Sequence, residues 1–129
     1  MLIPATRYDD CEAALAFLTE VLELDPRAVY RDPEGRIVHV ELGLGRGVMM
    51  FGPPRDTAFQ RMMIGPAEAG GETTTIYAVV ADVAGLHERV AARGAEIVLP
   101  LEGQPQGGAS FSVRDPEGHV WTFGDYAPA

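Results

Sequence analysis

The sequence predicts an α+β protein built from two βαβββ modules, because the same order of elements occurs twice along the chain. In each half a short apolar strand leads into an amphipathic helix whose start is marked by aspartate, at Asp9-Asp10 in the first half and at Asp82 in the second. Alternating strands separated by proline and glycine turns follow each helix. The predicted modules are residues 1–52 and 73–126 of a single 129-residue domain, and residues 53–72 connect them.

The helix of the first module is predicted from its cap and its apolar spacing. Asp9 is the predicted N-cap, because Glu12 three residues later completes a capping box. One stripe of apolar residues then recurs at helical spacing: Ala14, Phe17, Leu18, Val21 and Leu22. This pattern predicts a helix of about 14 residues that ends before Asp25-Pro26.

Three strands complete the first module. They are predicted over residues 27–31, 36–44 and 48–51, with Asp-Pro-Glu-Gly at 32–35 and Gly-Arg-Gly at 45–47 as turns. In the middle strand His39 and Glu41 alternate with Val38, Val40 and Leu42. The histidine and the glutamate therefore share the face that does not pack on the helix.

The connector, residues 53–72, is rich in proline and glycine around the apolar run Phe59–Ile64. We interpret it as a surface connector with one short apolar element and as a candidate flap over a pocket.

The second module repeats this order. Thr73–Ala81 is a predicted strand, and Asp82 caps a helix that ends at Gly94 and carries Val83, Leu86 and Val90 on its core stripe. Ala95–Leu99 is the next predicted strand, and Glu102–Gly108 is a predicted loop.

A β-hairpin closes the second module, with Asp115–Gly118 as its turn. One face of the hairpin is bulky and apolar, with Phe111, Val113, Trp121 and Phe123, and the other is small or polar, with Ser110, Ser112, Thr122 and Gly124. Strand alternation therefore predicts that Trp121 is buried against a helix and that Ser112 and Thr122 face a cavity. His119, directly after the turn, is expected at an exposed position.

The hairpin also carries a family resemblance. The run Phe-Ser-Val-Arg-Asp-Pro-Glu-Gly-His-Val-Trp-Thr-Phe at 111–123 resembles the vicinal oxygen chelate superfamily, which includes glyoxalase I, bleomycin-resistance proteins and extradiol dioxygenases. The resemblance extends over nearly the whole chain. It implies that the two modules form a curved mixed sheet around a cleft and that the protein is a homodimer.

The resemblance also implies where a metal ion would bind. In metal-dependent members the first strand of each half supplies His or Gln, and the last strand supplies Glu. The matching positions here are Ile3, Thr75, Thr122 and either Met49 or Met50. Hard divalent ions prefer carboxylate, imidazole or water oxygen, and these side chains offer almost none of that. We therefore expect no metal cofactor.

A ligand site is predicted instead from the residues that strand parity turns toward the cleft. Ile3 and Ala5 also belong to that face, and the cleft is largely apolar. The predicted ligand-binding residues are Arg7, His39, Glu41, Met50, Thr75, Tyr77, Ser112 and Thr122. No residue is assigned a catalytic role.

The composition excludes several classes of function. A formal net charge of −9 argues against a nucleic-acid partner. No apolar run is long enough to cross a membrane, and no secretory segment is recognisable, so we expect a cytoplasmic location. Cys11 is the only cysteine, which excludes an intrachain disulfide, and no base near it supports nucleophilic catalysis.

Three functions remain open. The leading one is metal-independent binding of a small organic ligand, as in the drug-sequestering members of the superfamily. The alternative is a metal-dependent lyase, isomerase or dioxygenase with a displaced site at His39 and Glu41, since His-x-Glu can supply two metal ligands or an oriented base. The third is a structural or regulatory partner protein with a vestigial pocket.

Overall fold

The computed structural model describes residues 1–105 and 107–129 and divides into two compact units, Met1–Ala69 and Gly70–Ala129. Each unit contains one βαβββ module with a mixed four-stranded sheet, which confirms the predicted α+β fold class. No helix within the described residues is long and apolar enough to span a bilayer.

The first unit contains four strands and two helices. Its elements are β1 (Ala5–Arg7), α1 (Cys11–Ala16), β2 (Asp25–Arg31), β3 (Ile37–Leu44), β4 (Gly47–Gly52) and α2 (Pro66–Ala69). The strand order is β1-β4-β3-β2, with β1 parallel to β4 and the other pairs antiparallel. A 3₁₀ turn at Gln60–Met62 lies between β4 and α2.

The core of the first unit lies on the helix-packed face of its sheet. Val40 and Leu42 of β3 are buried there, as strand alternation predicts, together with Phe51 of β4. Leu18, on the helical segment, is also fully buried, and the rings of Tyr8 and Phe51 meet edge to face at 4.9 Å. His39 and Glu41 consequently belong to the opposite face of the sheet.

The first helix differs from its prediction at both ends. Asp10, not Asp9, is the N-cap, because its Oδ1 accepts the backbone N–H of Ala13 at 3.0 Å. After Ala16 the backbone continues as one π-helical turn over Phe17–Val21, which the amide of Leu22 closes on the carbonyl of Phe17. The regular α-helix is therefore shorter than predicted, because its last turn is widened by one residue.

The first Asp-Pro-Glu-Gly turn is held by its aspartate. Oδ1 of Asp32 accepts the backbone N–H groups of Arg36 and Glu34, at 2.9 and 3.0 Å. These bonds lower the pKa of the Asp32 carboxyl below its ordinary value, and the bond from the backbone of Arg36 has the largest effect. The ion pair of Arg31 with Glu12 raises the pKa of that guanidinium and ties the turn to α1.

The second unit has the same order of elements. They are β5 (Ile76–Val79), α3 (Val83–Ala92), β6 (Glu96–Gly103), β7 (Ala109–Arg114) and β8 (Val120–Gly124). The strand order is β5-β8-β7-β6, with β5 parallel to β8. Asp82 caps α3 through a 3.0 Å bond from the amide of Gly85, and Val83, Leu86 and Val90 are its buried residues, all as predicted.

The closing hairpin has the predicted parity. Its bulky face is buried, and it consists of Phe111, Val113, Trp121 and Phe123. The rings of Phe111 and Phe123 stack with their centroids 5.5 Å apart. The prediction that Trp121 is buried is therefore confirmed.

In the second unit, two strand ends lie three or four residues from their predicted positions. β5 begins at Ile76, so the predicted start at Thr73 is wrong and Thr75 precedes the strand. β6 continues to Gly103 and enters the predicted loop Glu102–Gly108, of which Gln106 lies outside the described residues. The strand tolerates Pro100 because it lies at the sheet edge, where its pairing with β7 is irregular between Leu99 and Glu102.

His119 is not exposed, contrary to its prediction. Its Nδ1 lies 3.0 Å from Oε2 of Glu72, and the two side chains are only 12% and 13% exposed. The same carboxylate oxygen accepts the backbone N–H of Val120 at 3.2 Å. Glu72 thus fastens the segment before β5 to the start of β8.

Candidate functional site

A cavity of about 370 Å³ lies in the first unit, and residues of both sheet faces line it, Thr6 and Phe51 as well as Ala5 and Met50. The sheet contributes residues of β1, β3 and β4, and residues of the segment 53–63 close the other side. The side chains and backbone that line it include Ala5, Val38, His39, Met50, Arg55, Thr57, Phe59, Gln60 and Met63. The interpretation of the connector as a flap over a pocket fits this arrangement.

The floor of the cavity follows from the register of three strands. Ala5 of β1 lies opposite Met50 of β4, and Met50 lies opposite Glu41 of β3. Directly paired residues project from the same face of a sheet, so these three side chains form one row. Since residues two apart share a face, His39 belongs to that face as well. The predicted residues His39, Glu41 and Met50 are thus brought together on one face, and of the three His39 and Met50 line the cavity.

His39 and Glu41 form a hydrogen-bonded pair. Nε2 of His39 lies 3.1 Å from Oε2 of Glu41, and both side chains are more than one-third exposed. An ionised carboxylate only accepts hydrogen bonds, so a neutral His39 carries its proton on Nε2 and presents Nδ1 as an acceptor. The ring of Tyr30 on β2 lies beside the imidazole, with a centroid distance of 5.8 Å.

Two arginines attach the segment 53–63 to the sheet. Nη1 of Arg7 donates to the carbonyl of Met63 at 3.0 Å, and Nη2 of Arg55 donates to the carbonyl of Val38 at 2.9 Å. Arg7 is predicted as a cleft residue, but it is not among the residues that line the cavity. Its guanidinium instead holds the far end of the segment 53–63, which we call the covering segment.

The cavity lining also contains a polar atom with unused hydrogen-bonding capacity. Oε1 of Gln60 is shielded from solvent and has no hydrogen-bond partner within the described part of the chain. Gln60 lines the cavity from the segment 53–63. A buried acceptor without a partner is costly, so this atom favours a bound molecule that donates a hydrogen bond.

The second unit contains the other four predicted site residues. Tyr77 of β5 and Ser112 of β7 both lie opposite Thr122 of β8, so the three form one row across the sheet. The hydroxyls of Ser112 and Thr122 are 2.7 Å apart, and Ser112 is buried. Thr75 precedes the strand and is exposed, so it stands apart from this row.

The Tyr77 hydroxyl is used by the C-terminal segment. It donates to the backbone carbonyl of Tyr126 at 2.8 Å, and the ring lies against Gly124, where a Cβ atom would clash with it. Glycine is therefore required at position 124 by the close approach of the tyrosine. This row is polar in the middle and aromatic at the β5 edge.

The family metal positions do not fit a hard divalent ion. The register places Ala5 opposite Met50 and Tyr77 opposite Thr122, whereas Ile3 and Thr75 precede their strands. Methyl, thioether and hydroxyl groups are poor ligands for such ions. Among the residues that the structure describes, no three His, Cys, Asp or Glu side chains are grouped so that they could hold a metal.

The predicted ligand site did not include the residues of the covering segment. Arg55, Gln60 and Met63 line the cavity. The signal for them in the sequence is the apolar run Phe59–Ile64 among prolines and glycines, which suggests a cover over a pocket but does not identify these residues. Arg55 is positioned by its hydrogen bond to the backbone carbonyl of Val38, and Met63 by the bond that its own carbonyl accepts from Arg7. Such contacts leave no periodic signal in a sequence.

The family model of the Glyoxalase/Bleomycin resistance protein/Dioxygenase superfamily matches residues 4–123. Among the curated relatives, the chain is 28% identical over 123 residues to the uncharacterized protein Mb0911c of Mycobacterium bovis. That match covers 95% of this chain and 81% of the relative.

Solved structures of similar fold include members of the same superfamily. TioX from Micromonospora sp. ML1 matches with a TM-score of 0.75 and 28% identity, over 98% of both chains. Lactoylglutathione lyase from Agrobacterium tumefaciens matches with a TM-score of 0.67 and 25% identity, over 96% of this chain and 91% of the lyase.

Proposed function

Because the chain belongs to the Glyoxalase/Bleomycin resistance protein/Dioxygenase superfamily, we propose that it binds a small organic ligand, without a metal ion, in the cavity of its first unit. The observation that carries this proposal is the cavity of about 370 Å³ between the sheet and the segment 53–63. Small-molecule sites typically measure about 300–1,000 Å³ and combine apolar walls with a few polar groups.

The chemistry of the lining supports a binding role. Met50, Phe59 and Met63 supply apolar surface, and His39 and Gln60 supply polar atoms at separate points of the wall. Apolar surface provides most of the binding free energy for a small ligand, while a few fixed polar groups determine its orientation. A cavity of this kind can hold an organic molecule without any metal ion.

The His39–Glu41 pair favours a second candidate function. A histidine oriented by a carboxylate is the usual form of a general base, and the same two groups are two of the ligands that a displaced metal site would need. If the protein is an enzyme, His39→Gln should lose turnover while its affinity for the substrate changes little. If the protein only binds a ligand, His39→Gln should change the affinity for that ligand, and neither the wild type nor the variant should turn it over.

We also propose that the protein is a homodimer. β2 and β6 are edge strands of their sheets, and unpaired strand edges favour association with another chain. Light scattering at micromolar concentration should give twice the monomer mass of 13.9 kDa. A monomer mass would reject the dimer and leave the ligand proposal untouched.

The experiment that tests binding combines native mass spectrometry with a thermal-shift screen. Purified protein is treated with a chelator, analysed for retained small molecules, and then screened against a chemically diverse set of drug-sized compounds. The proposal expects compounds that raise the melting temperature equally with and without chelator. Stabilisation that disappears on chelation would contradict it.

Replacing either of two alanines by leucine tests where the ligand binds. Ala5→Leu adds bulk to the cavity wall, whereas Ala28→Leu adds the same bulk on β2, opposite Glu41 and outside the cavity lining. We expect Ala5→Leu to abolish the stabilisation by hit compounds and Ala28→Leu to preserve it. If hit compounds stabilise both variants equally, the ligand does not bind in this cavity.

A further inference from the structure

We infer that the ligand of this cavity is an organic anion of the aromatic carboxylate class, held with its acidic group at Arg55; this inference rests on the proposed function. The cavity combines a guanidinium at its wall with thioether and aromatic side chains around it.

Arg55 has donors to offer. Its Nη2 makes one hydrogen bond, to the carbonyl of Val38 at 2.9 Å, and no carboxylate pairs with it among the described residues. Its neighbour in the same segment, Arg61, is by contrast paired with Asp56. A guanidinium carries five N–H donors in a planar fork that matches a carboxylate, so one bond leaves most of the fork unused.

The charge of the cavity is opposite to that of the whole protein. The chain has a formal net charge of −9, yet none of the described residues that line the cavity is Asp or Glu. The nearby carboxylate of Glu41 is outside the lining and hydrogen-bonded to His39. Local charge determines which ligand head group is preferred, and here the fully charged group in the wall is a cation.

The rest of the wall suits an apolar, aromatic body. Met50 rises from the floor, and Phe59 and Met63 belong to the covering segment. Thioethers adapt their shape and make favourable contacts with aromatic rings, and phenylalanine rings pack against other rings. The unpartnered Oε1 of Gln60 adds one acceptor that a ligand hydroxyl or N–H group can satisfy.

The test uses three naphthalene probes that differ only in their head group: naphthoate, naphthamide and naphthylmethylammonium. Isothermal titration calorimetry should show naphthoate binding about tenfold more tightly than naphthamide, and naphthylmethylammonium binding weakest. Added salt should weaken naphthoate binding and leave naphthamide binding unchanged, because it screens the charge interaction alone.

Two arginine variants assign the effect to one residue. Arg55→Gln should reduce the affinity for naphthoate about tenfold and leave the affinity for naphthamide unchanged. Arg46→Gln is the control, because Arg46 is exposed in the turn between β3 and β4 and does not line the cavity. It removes the same charge from the same unit and should leave all three affinities unchanged.

The outcomes separate this inference from the proposed function. Equal affinities for naphthoate and naphthamide, a preference for the ammonium probe, or loss of naphthoate binding in Arg46→Gln would overturn the anion inference. Failure of all three probes would also overturn it. The proposed function would stand in each of these cases if compounds from the screen still stabilise the chelator-treated protein and Ala5→Leu abolishes that stabilisation.

Discussion

The indole Nε1 of Trp121 donates a hydrogen bond to Oδ2 of Asp115, 3.2 Å away, and thereby joins the core of the closing hairpin to its turn. Both residues are almost fully buried, at 2% and 4% exposure. Oδ1 of the same carboxylate accepts the backbone N–H groups of Glu117 and His119, each at 3.0 Å. One aspartate thus organises the turn and satisfies the only polar atom of the tryptophan side chain.

Trp121→Ala is expected to destabilise the protein by about 3–5 kcal/mol, because it removes a large buried side chain and leaves a cavity. The wild-type tryptophan fluorescence should be blue-shifted, as its ring is shielded from water. Trp121→Phe, which keeps most of the volume, should cost clearly less. Urea unfolding measures the difference, and a nearly neutral Trp121→Ala would contradict the burial of this ring.

The two Arg-Asp-Pro-Glu-Gly turns should respond differently to the same substitution. Asp115→Ala should cost about 1–3 kcal/mol more than Asp32→Ala, because it leaves the buried indole N–H without its acceptor. The side chain of Asp32 is 24% exposed, so water can replace its bonds to the backbone. Equal costs in chemical denaturation would show that the bond from Trp121 contributes nothing.

The hydroxyl pair in the second sheet predicts a strong coupling. Thr122→Val should cost about 1–3 kcal/mol, because it leaves the buried Ser112 hydroxyl without its partner at 2.7 Å. Ser112→Ala combined with Thr122→Val should cost little more than Ser112→Ala alone, since both polar groups are then gone. A double-mutant cycle measures this, and additive costs would argue against the hydrogen bond.

Purified protein should contain no stoichiometric nickel, zinc, iron or manganese, because the family ligand positions carry Met50, Thr122 and other poor donors. Chelation should leave its melting temperature unchanged. Elemental analysis and thermal unfolding test this. One tightly held ion per chain would contradict this prediction. If His39→Ala loses both the ion and stability, the protein has a displaced metal site at His39.

Much of the fold could be predicted because it depends on local chemistry. The hairpin parity of Phe111 and Trp121 follows from alternation, and the start and stripe of α3 follow from Asp82 and helical periodicity. The π-helical turn at Phe17–Val21 could not be predicted, because the apolar spacing there is compatible with a regular α-helix.

The burial of His119 depends on Glu72, 47 residues away in sequence. A histidine directly after a turn gives no local sign of such a partner, so its environment is determined by tertiary contacts alone. The same applies to the cavity wall, where Arg7 and Arg55 attach the segment 53–63 through backbone carbonyls. Alternation could assign His39, Glu41 and the floor of the site, but not the residues that cover it.

The methionines provide the most direct test of a metal-independent ligand site in the first unit. Met50 and Met63 line the cavity, while their sequence neighbours do not: Met49 is buried in the core and Met62 is 76% exposed. In chelator-treated protein with isotope-labelled methionine methyl groups, the tightest compound of the screen is titrated and followed by NMR. We predict that the methyl signals of Met50 and Met63 shift while those of Met49 and Met62 stay in place. Shifts confined to Met62, or no shift at Met50 and Met63 at saturation, would contradict a ligand in this cavity.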